Sequence, residues 1–439
     1  MRSVLLLLTS CQRANVIPTD TGQVGDTAID VVSEEDTVIE TVPGGWEPPE
    51  YDTDAVPDGV RTINIEIDAA AMARLDADPW GADDERGVFV DDTGTRHAVD
   101  LNYRGAYALL SVMSYYDLRN WKVKFDAEDP HRGRREWNFN YEPHFRQKLA
   151  YDLFRFAGVA VPGAEHVVLK VNGEYQGIYL EYEDPDNSGW LQEQFGDEDG
   201  DLYKAAYDLP DEPQCFALLT WLGESDDEHR CHYTRKSGAG DEGEYDALIG
   251  FLDDLNHLSD DAFSAWIEES VDVDRLISYL VVSNFIANWD SYPQRPKNFW
   301  LYTDRRAGVM VYIPWDLDGT FSPDIDSTFN QMGATAPVLY NLVASDYSPV
   351  HEPEGTERPL VRRLFSIESH RQAYLDRYAA LSGTILSADY LSARLTALTE
   401  IVAPHASATD RSRMDAYTTS IQSFIEARTA FVAADLAAE

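Results

Sequence analysis

Ile313-Pro314-Trp315-Asp316-Leu317-Asp318 decides how this chain is read, together with Asn288-Trp289-Asp290 and Asn298 shortly before it. An apolar, strand-like run ends at Pro314 and delivers two carboxylates. Upstream, helical apolar spacing over residues 273–287 ends close to Asp290. Between the two stretches the pattern predicts a hairpin, with strands over 299–303 and 309–313 and residues 304–308 as its turn. That hairpin sets Asn298 beside the end of the strand that presents Asp316. One carboxylate, one amide oxygen and a second carboxylate then converge, and hard oxygen donors of this kind suit a hard divalent cation holding a polyphosphate.

Working outward, the folded region is expected to begin near Arg61. Residues 62–67 alternate as a strand, 69–75 read as a short helix, and further strands are expected over 97–104, 121–125 and 166–172. Asn172-Gly173 predicts a hairpin turn into 176–182. Residues 142–158 read as a helix with Phe145, Leu149, Leu153 and Phe156 on one face and Gly158 as its stop. The first half is therefore α+β with antiparallel strands. Beyond Tyr233 the pattern turns helical, over 244–255, 261–268 and 273–287. After the hairpin it is helical again over 359–381, 388–402 and 409–437, with Pro404 as a breaker.

The chain has 439 residues and a net charge of −43, with 44% hydrophobic and 12% aromatic residues. That composition suits a large folded core. The charge argues against nucleic acid as a partner, since no basic stripe neutralises phosphates. Arg2, the apolar Val4-Leu5-Leu6-Leu7-Leu8 and then Leu8-Thr9-Ser10-Cys11 resemble a bacterial lipoprotein signal, which makes residues 1–11 a signal ending at a lipidated Cys11. From Ala14 to Val60 there is no Lys, Arg or His, so residues 12–60 are expected to be a disordered acidic linker holding a domain, 61–439, off a membrane. Export leaves Cys215 and Cys231 as an even pair, expected either as a disulfide or as two buried thiols.

The site's composition supports the division of labour of protein-kinase phosphoryl transfer. One Asp positions a hydroxyl nucleophile, while an Asn and a second Asp hold Mg2+ on the phosphates. At these residues the chain resembles the spore coat protein CotH family of atypical, protein-kinase-like enzymes, over about residues 61–436. The matching stretches are Tyr103-Arg104-Gly105, Trp121-Lys122-Val123-Lys124-Phe125, Val171-Asn172-Gly173-Glu174-Tyr175 and Gly177-Ile178-Tyr179. They continue with Glu183, Leu202-Tyr203-Lys204, Asn288-Trp289-Asp290, Asn298, Pro314-Trp315-Asp316-Leu317-Asp318 and Ile425-Glu426-Ala427-Arg428.

The resemblance implies a two-lobed α+β fold, with an antiparallel-sheet N-lobe over about 61–205 and a mainly helical C-lobe over about 206–439. It implies Asp290 as the catalytic acid, and Asn298 and Asp316 as metal ligands with Asp318 as a further candidate. Lys204 is implied as a phosphate-anchoring lysine with Glu183 as its acidic partner, Lys122 and Lys124 compete for that role, and Arg104-Gly105 sits over the phosphates. ATP and Mg2+ or Mn2+ follow as cofactors. Two departures stand out. Ala106-Tyr107-Ala108-Leu109 follows Arg104-Gly105 where the family has small polar residues, and Asp290 and Asn298 lie eight apart with Pro293 and Pro296 between them.

Two classes of function follow. One is an enzyme transferring phosphate from ATP to Ser or Thr of an exported, basic, Ser-rich protein. The other is a catalytically inactive, lipid-anchored protein with a structural or adhesive role at the surface. The global charge favours basic acceptors; a local basic groove of Lys122, Lys124, Arg132, Arg134 and Arg135 is the counter-expectation. A third motif reading, Asp316-Leu317-Asp318-Gly319-Thr320 as the nucleophile turn of a haloacid-dehalogenase-type phosphatase, requires a doubly wound domain that the helical tail does not supply.

Overall fold

The computed structural model describes residues 52–55, 59–79, 81–104, 118–205, 215–237, 244–322, 332–340, 342 and 358–439. Cys11, Gly105 and the Ala106-Tyr107-Ala108-Leu109 segment lie outside the described residues, as does nearly all of the expected signal and linker.

Seven strands of the first half close into a barrel. They are β1 (Arg61–Ile67), β2 (Glu85–Val90), β3 (Arg96–Arg104), β4 (Asn120–Phe125), β5 (Glu136–Tyr141), β6 (Glu165–Val171) and β7 (Glu174–Tyr182), in the order β1-β2-β3-β4-β5-β7-β6. Inward-facing Ile63, Ile65, Phe89, Val99, Leu101, Val123, Phe139 and Leu169 are fully buried at every second position. The purely antiparallel sheet expected from sequence is corrected here, because β1 pairs with β6 in parallel, Arg61 opposite Val167 through Ile65 opposite Val171, and that pairing closes the barrel. Period-2 patterning reports which face of a strand is buried and not which strand lies beside it.

Asn172 and Gly173 both take left-handed conformations, φ 51° and 83°, in the β6–β7 turn. The Asn172 side chain also clamps β1, accepting from the amide of Ile67 and donating to its carbonyl, each at 2.9 Å. After β1 a short helix, α1 (Ala69–Ala77), packs against β2 and is capped by Asp68 accepting from the amide of Ala70 at 2.8 Å.

The helix expected over 142–158 is α2 (Arg146–Phe156), and it is buried nearly all round rather than on one face. Its polar Lys148 and Asp152 are accommodated by pairing, Lys148 Nζ to Asp152 at 2.6 Å and Arg394 to Asp152 at 2.7 Å.

After α3 (Ser188–Phe195), β8 (Leu202–Ala205) joins a second sheet with β9 (Tyr233–Ser237), β10 (Phe299–Asp304) and β11 (Val309–Pro314), in the antiparallel order β11-β10-β8-β9. The resemblance implies an N-lobe that reaches about residue 205, whereas β8 hydrogen-bonds to β9 and β10 in the second sheet. Around this sheet lie α4 (Asp226–His229), α5 (Asp246–His257), α6 (Asp260–Ser270) and α7 (Val273–Phe285). The helix expected over 359–381 is two, α8 (Pro359–Ser366) and α9 (Glu368–Ser382), separated by extended Ile367. The tail is α10 (Ala388–Val402) and α11 (Ala408–Leu436), with a single 3-10 turn at Ala403–His405 where Pro404 stands.

The end of the segment expected to be a disordered linker is docked. The Thr53 carbonyl accepts from Tyr390 at 2.7 Å and from Arg394 at 3.1 Å, and the Ala55 carbonyl accepts from Arg394 at 3.1 Å. Backbone acceptors rather than apolar side chains make these contacts, so composition gave no sign of them. No helix among the described residues is long and apolar enough to cross a membrane.

Candidate active site

The β10–β11 hairpin has Phe299 opposite Pro314, which puts Asn298 beside Trp315; the Trp315 amide donates to the Asn298 carbonyl at 3.0 Å. The segment after Asp318 is stitched back to the end of α7, with the Trp289 amide donating to the Gly319 carbonyl at 3.2 Å and the Phe321 amide to the Ile286 carbonyl at 2.7 Å. Gly319 has to be glycine: a Cβ there would lie 2.9 Å from Cβ of Asp290 and 3.2 Å from Nε1 of Trp289. Four residues of this small region, Ala287, Asn298, Asp316 and Phe321, are non-glycine residues with φ between 51° and 58°. Each such conformation costs on the order of 1–3 kcal/mol and persists only where the surroundings enforce it.

Asp290, Asn298 and Asp316 are all buried. The eight-residue spacing closes: Asn298 Nδ2 donates to the Asp290 carbonyl at 2.6 Å and to its Oδ2 at 3.1 Å. This leaves Asn298 Oδ1 as the oxygen it can offer a cation. The intervening loop, which holds a cis Tyr292–Pro293 bond, is braced by Arg358 donating to the carbonyls of Pro293 at 2.7 Å and Gln294 at 3.3 Å. Its other side receives the Ala217 amide at the Pro296 carbonyl, 3.2 Å. Ala217 lies two residues past Cys215, which is disulfide-bonded to Cys231 with Cα atoms 5.5 Å apart.

Asp290 has a cation that sequence reading missed. Lys297 Nζ lies 2.8 Å from Asp290 Oδ1, and the Arg295 guanidinium lies 3.7 Å from the same oxygen while stacking over Trp289. Lys297 is buried, and its position directly before Asn298 was the available signal.

Asp316 is the electrostatic hub. Its charge acts on Arg104, Tyr151, Tyr182, Lys204 and Asp318. The Asp318 carboxyl is held well above the usual carboxylate range, first by the protein crowded around it and then by Asp316 and Asp290, with Lys297 and Arg146 opposing. Its side chain still meets solvent, so the crowding is that of a recess and not of a closed core. The turn after it is closed by Thr320 Oγ1 donating to the Leu317 carbonyl at 2.9 Å.

Lys204 reaches this recess because β8 pairs with β10, Lys204 opposite Trp300, with its Nζ 5.4 Å from the Trp300 ring centroid. Burial lowers its pKa to about 7, Lys236 adds to the depression, and Asp316 opposes it. Arg104, at the end of β3, donates to Asn140 Oδ1 at 3.2 Å and to the Tyr182 hydroxyl at 3.4 Å. Burial depresses its pKa, against the attraction of Tyr182 and Asp316.

Three expectations are corrected. Glu183 does not serve Lys204; its Oε2 takes Arg134 Nε at 2.7 Å, and Arg134 also reaches Glu193 at 2.6 Å. Lys124 and Lys122 alternate with buried Trp121, Val123 and Phe125 on β4, so they point out of the barrel, where they pair with Asp84 and Glu136 at 2.6 Å each. Four of the five basic-groove residues are likewise paired with carboxylates, Arg132 with Glu165 at 3.1 Å and Glu181 at 2.9 Å beside the pairs already named.

The donors fit a hard divalent cation with a polyphosphate: Asp316, Asp318 and Asn298 offer oxygens, and Lys204 and Arg104 offer positive charge. The fully buried Tyr151 hydroxyl and both amide atoms of Asn288 have no hydrogen-bond partner among the described residues, which suits a polar ligand or bound water. The carboxylates do not form a closed cage by themselves. Mg2+ needs only one or two of them alongside phosphate and water oxygens. The dehalogenase reading does not fit, because Asp316 follows an antiparallel strand and not the parallel sheet of a doubly wound domain.

Comparison with known proteins adds three findings. A family model described as CotH kinase protein matches residues 101–432. The inner spore coat protein H of Bacillus subtilis (strain 168) is 24% identical over 338 residues, spanning 76% of this chain and 84% of that protein. A solved HipA–HipB–operator DNA complex of the Shewanella oneidensis MR-1 toxin antitoxin system covers 91% of this chain and 77% of the matched chain, at 14% identity and a TM-score of 0.33, too slight a likeness to carry an argument.

Proposed function

This chain belongs to the CotH kinase protein family, and from that premise we propose that it transfers phosphate from ATP to a Ser or Thr hydroxyl of an exported protein, using the recess around Asp316. The observation that carries the reading is the convergence of Asp290, Asn298 and Asp316, from a loop and the two ends of one hairpin, with Lys204 and Arg104 brought in from other strands.

In this reading Asp290 orients the acceptor hydroxyl and takes its proton. Lys297 holds that carboxylate in place. Asn298 and Asp316, with Asp318 beside them, would hold Mg2+ or Mn2+, which when bound neutralises charge on the phosphates. Lys204 and Arg104 bind phosphate oxygens. The barrel and the helical second half are taken as the two lobes, with β8 counted in the second sheet. A lipidated Cys11, a linker shorter than residues 12–60 by its docked end, and a periplasmic or cell-surface location complete the proposal; the relative named as a spore coat protein supports a surface setting. With a net charge of −43, basic Ser-containing proteins are the favoured acceptors.

A second reading, an inactive scaffold at the surface, is favoured by one observation: Glu183 is engaged by Arg134 and does not pair with Lys204 as the acidic partner of an active kinase's lysine does. Incubation of the full chain with labelled ATP and Mg2+ or Mn2+, with basic and acidic Ser peptides as acceptors, separates the two. Metal-dependent label on the protein or on basic peptides supports the enzyme. Absence of label on any acceptor, with nucleotide binding retained, supports the scaffold.

A further inference from the structure

A second group of metal-competent side chains lies on the barrel, apart from the Asp316 recess. Asp91 follows β2, His97 is on β3, and His131 is in the β4–β5 connection. One ligand atom from each lies within 4.8 Å of the other two, a condition met by no other His, Cys, Asp or Glu trio among the described residues. Both imidazoles are buried. Together they face a recess of about 350 Å³ that Arg61, Thr93 and Arg132 also line.

Other protein groups stand behind each of the three side chains. Asp91 Oδ1 accepts from the Thr93 amide at 2.9 Å, the Thr93 hydroxyl at 2.7 Å and the Thr95 amide at 2.8 Å, which fixes the carboxylate and leaves Oδ2. His97 Nδ1 lies 3.0 Å from Asp129, and its Nε2 is the nitrogen toward Asp91 Oδ2, at 4.0 Å. His131 Nε2 lies 3.7 Å from buried Glu181. A carboxylate behind an imidazole is the usual outer partner of a metal-bound histidine, where it orients the ring and raises its basicity.

The distances favour a common ion over direct bonding. A separation of 4.0 Å is too long for a hydrogen bond between His97 and Asp91. Two ligands each about 2.1 Å from one ion stand about 3.4 Å apart in a tetrahedral site and at most about 4.2 Å apart. The set therefore closes on an ion with shifts of roughly an ångström or less. Two nitrogens and one oxygen suit a borderline transition metal, whereas Mg2+ and Ca2+ prefer all-oxygen sites.

We propose that Asp91, His97 and His131 form a binding site for a divalent transition metal of the Zn2+ type, held from behind by Asp129 and Glu181, with the fourth position open to water. The ion would staple the β2–β3 turn to the β4–β5 connection at one end of the barrel. It is distinct from the Mg2+ or Mn2+ of the proposed phosphate site, and it stands whether or not the chain is an active kinase.

The test uses the full chain, stripped with a chelator and titrated calorimetrically with Zn2+, alongside visible absorption after loading with Co2+. The expected result is one equivalent of Zn2+, a rise in unfolding temperature, and a Co2+ spectrum of a nitrogen-ligated low-coordinate ion. All three should persist in Asp316→Ala and be lost in His131→Gln and in Asp91→Asn. Asp129→Asn should weaken Zn2+ binding by about 10–100-fold. The wild-type Co2+ spectrum needs no variant, so it decides even if a substitution fails to fold. A spectrum of the hydrated ion alone, or equal Zn2+ binding by wild type and Asp91→Asn, overturns the proposal.

Discussion

The guanidinium of Arg428, in α11, donates through Nε to the carbonyl of Phe285, the last residue of α7, at 3.1 Å. The same side chain reaches the Asn284 carbonyl at 3.1 Å, Asn284 Oδ1 at 2.6 Å and the Tyr378 hydroxyl at 2.9 Å, and it also bonds the carbonyls of Ala334 and Ala336. A helix leaves its last carbonyls without partners, and a cation at that end also meets the negative pole of the helix dipole. Because α7 runs directly into Asn288-Trp289-Asp290, a residue far along the chain fixes the height at which the Asp290 loop begins.

Arg428→Lys is therefore expected to destabilise the protein by about 3 kcal/mol or more, since one ammonium cannot replace a planar fork of donors and several buried acceptors lose their partner. Urea unfolding followed by circular dichroism measures this. An unchanged midpoint would mean that the carbonyls at the end of α7 are satisfied in some other way.

Asp316→Ala is expected to abolish metal-dependent nucleotide binding, because it removes the carboxylate at the centre of the recess. Asp290→Asn should retain binding and lose transfer, since its role is with the hydroxyl. Calorimetry with ATP and Mg2+ reads the first, and label incorporation reads the second. Unaltered binding in the first variant, or unaltered transfer in the second, removes that residue from its proposed role.

The lowered pKa of Lys204 gives a pH dependence. Near pH 8 a lysine with a pKa of about 7 is mostly uncharged, and an arriving polyphosphate draws a proton onto it. Nucleotide affinity should fall as pH rises above about 7, with net proton uptake on binding that Lys204→Met removes. In folding, the folded pKa lies below the unfolded one. The corresponding stability is thus complete above the ordinary lysine value and is lost as pH falls through about 7. Calorimetry in buffers of different ionisation enthalpy checks the uptake, and equal uptake in both proteins contradicts it.

Gly319→Ala places a methyl against Asp290 and Trp289, so the two loops must part. A displacement near an ångström in a positioning contact costs about 10²-fold in rate. Transfer should drop by about that factor while nucleotide binding, which rests on Asp316, Lys204 and Arg104, changes much less. Kinetic constants for the variant decide it, and a wild-type transfer rate would show that the loops absorb the methyl.

By itself the sequence determined the local elements and the chemistry offered. Alternation marked β1, β10 and β11, Asn172-Gly173 marked its turn, and Asp290, Asn298 and Asp316 followed from strand and helix ends. These features depend on neighbours along the chain, where side-chain period and turn residues are explicit. Only the tertiary structure decided who meets whom. Closing the barrel through parallel β1–β6 pairing, seating Lys204 against the Asp316 recess through β8–β10 pairing, giving Glu183 to Arg134, and placing Lys297 on Asp290 all join groups through packing. So does gathering Asp91, His97 and His131 on the barrel. An ionised side chain is satisfied by any opposite charge within reach, so its residue type states a need without naming the partner, and the partner is fixed only when the backbone brings one within a few ångströms.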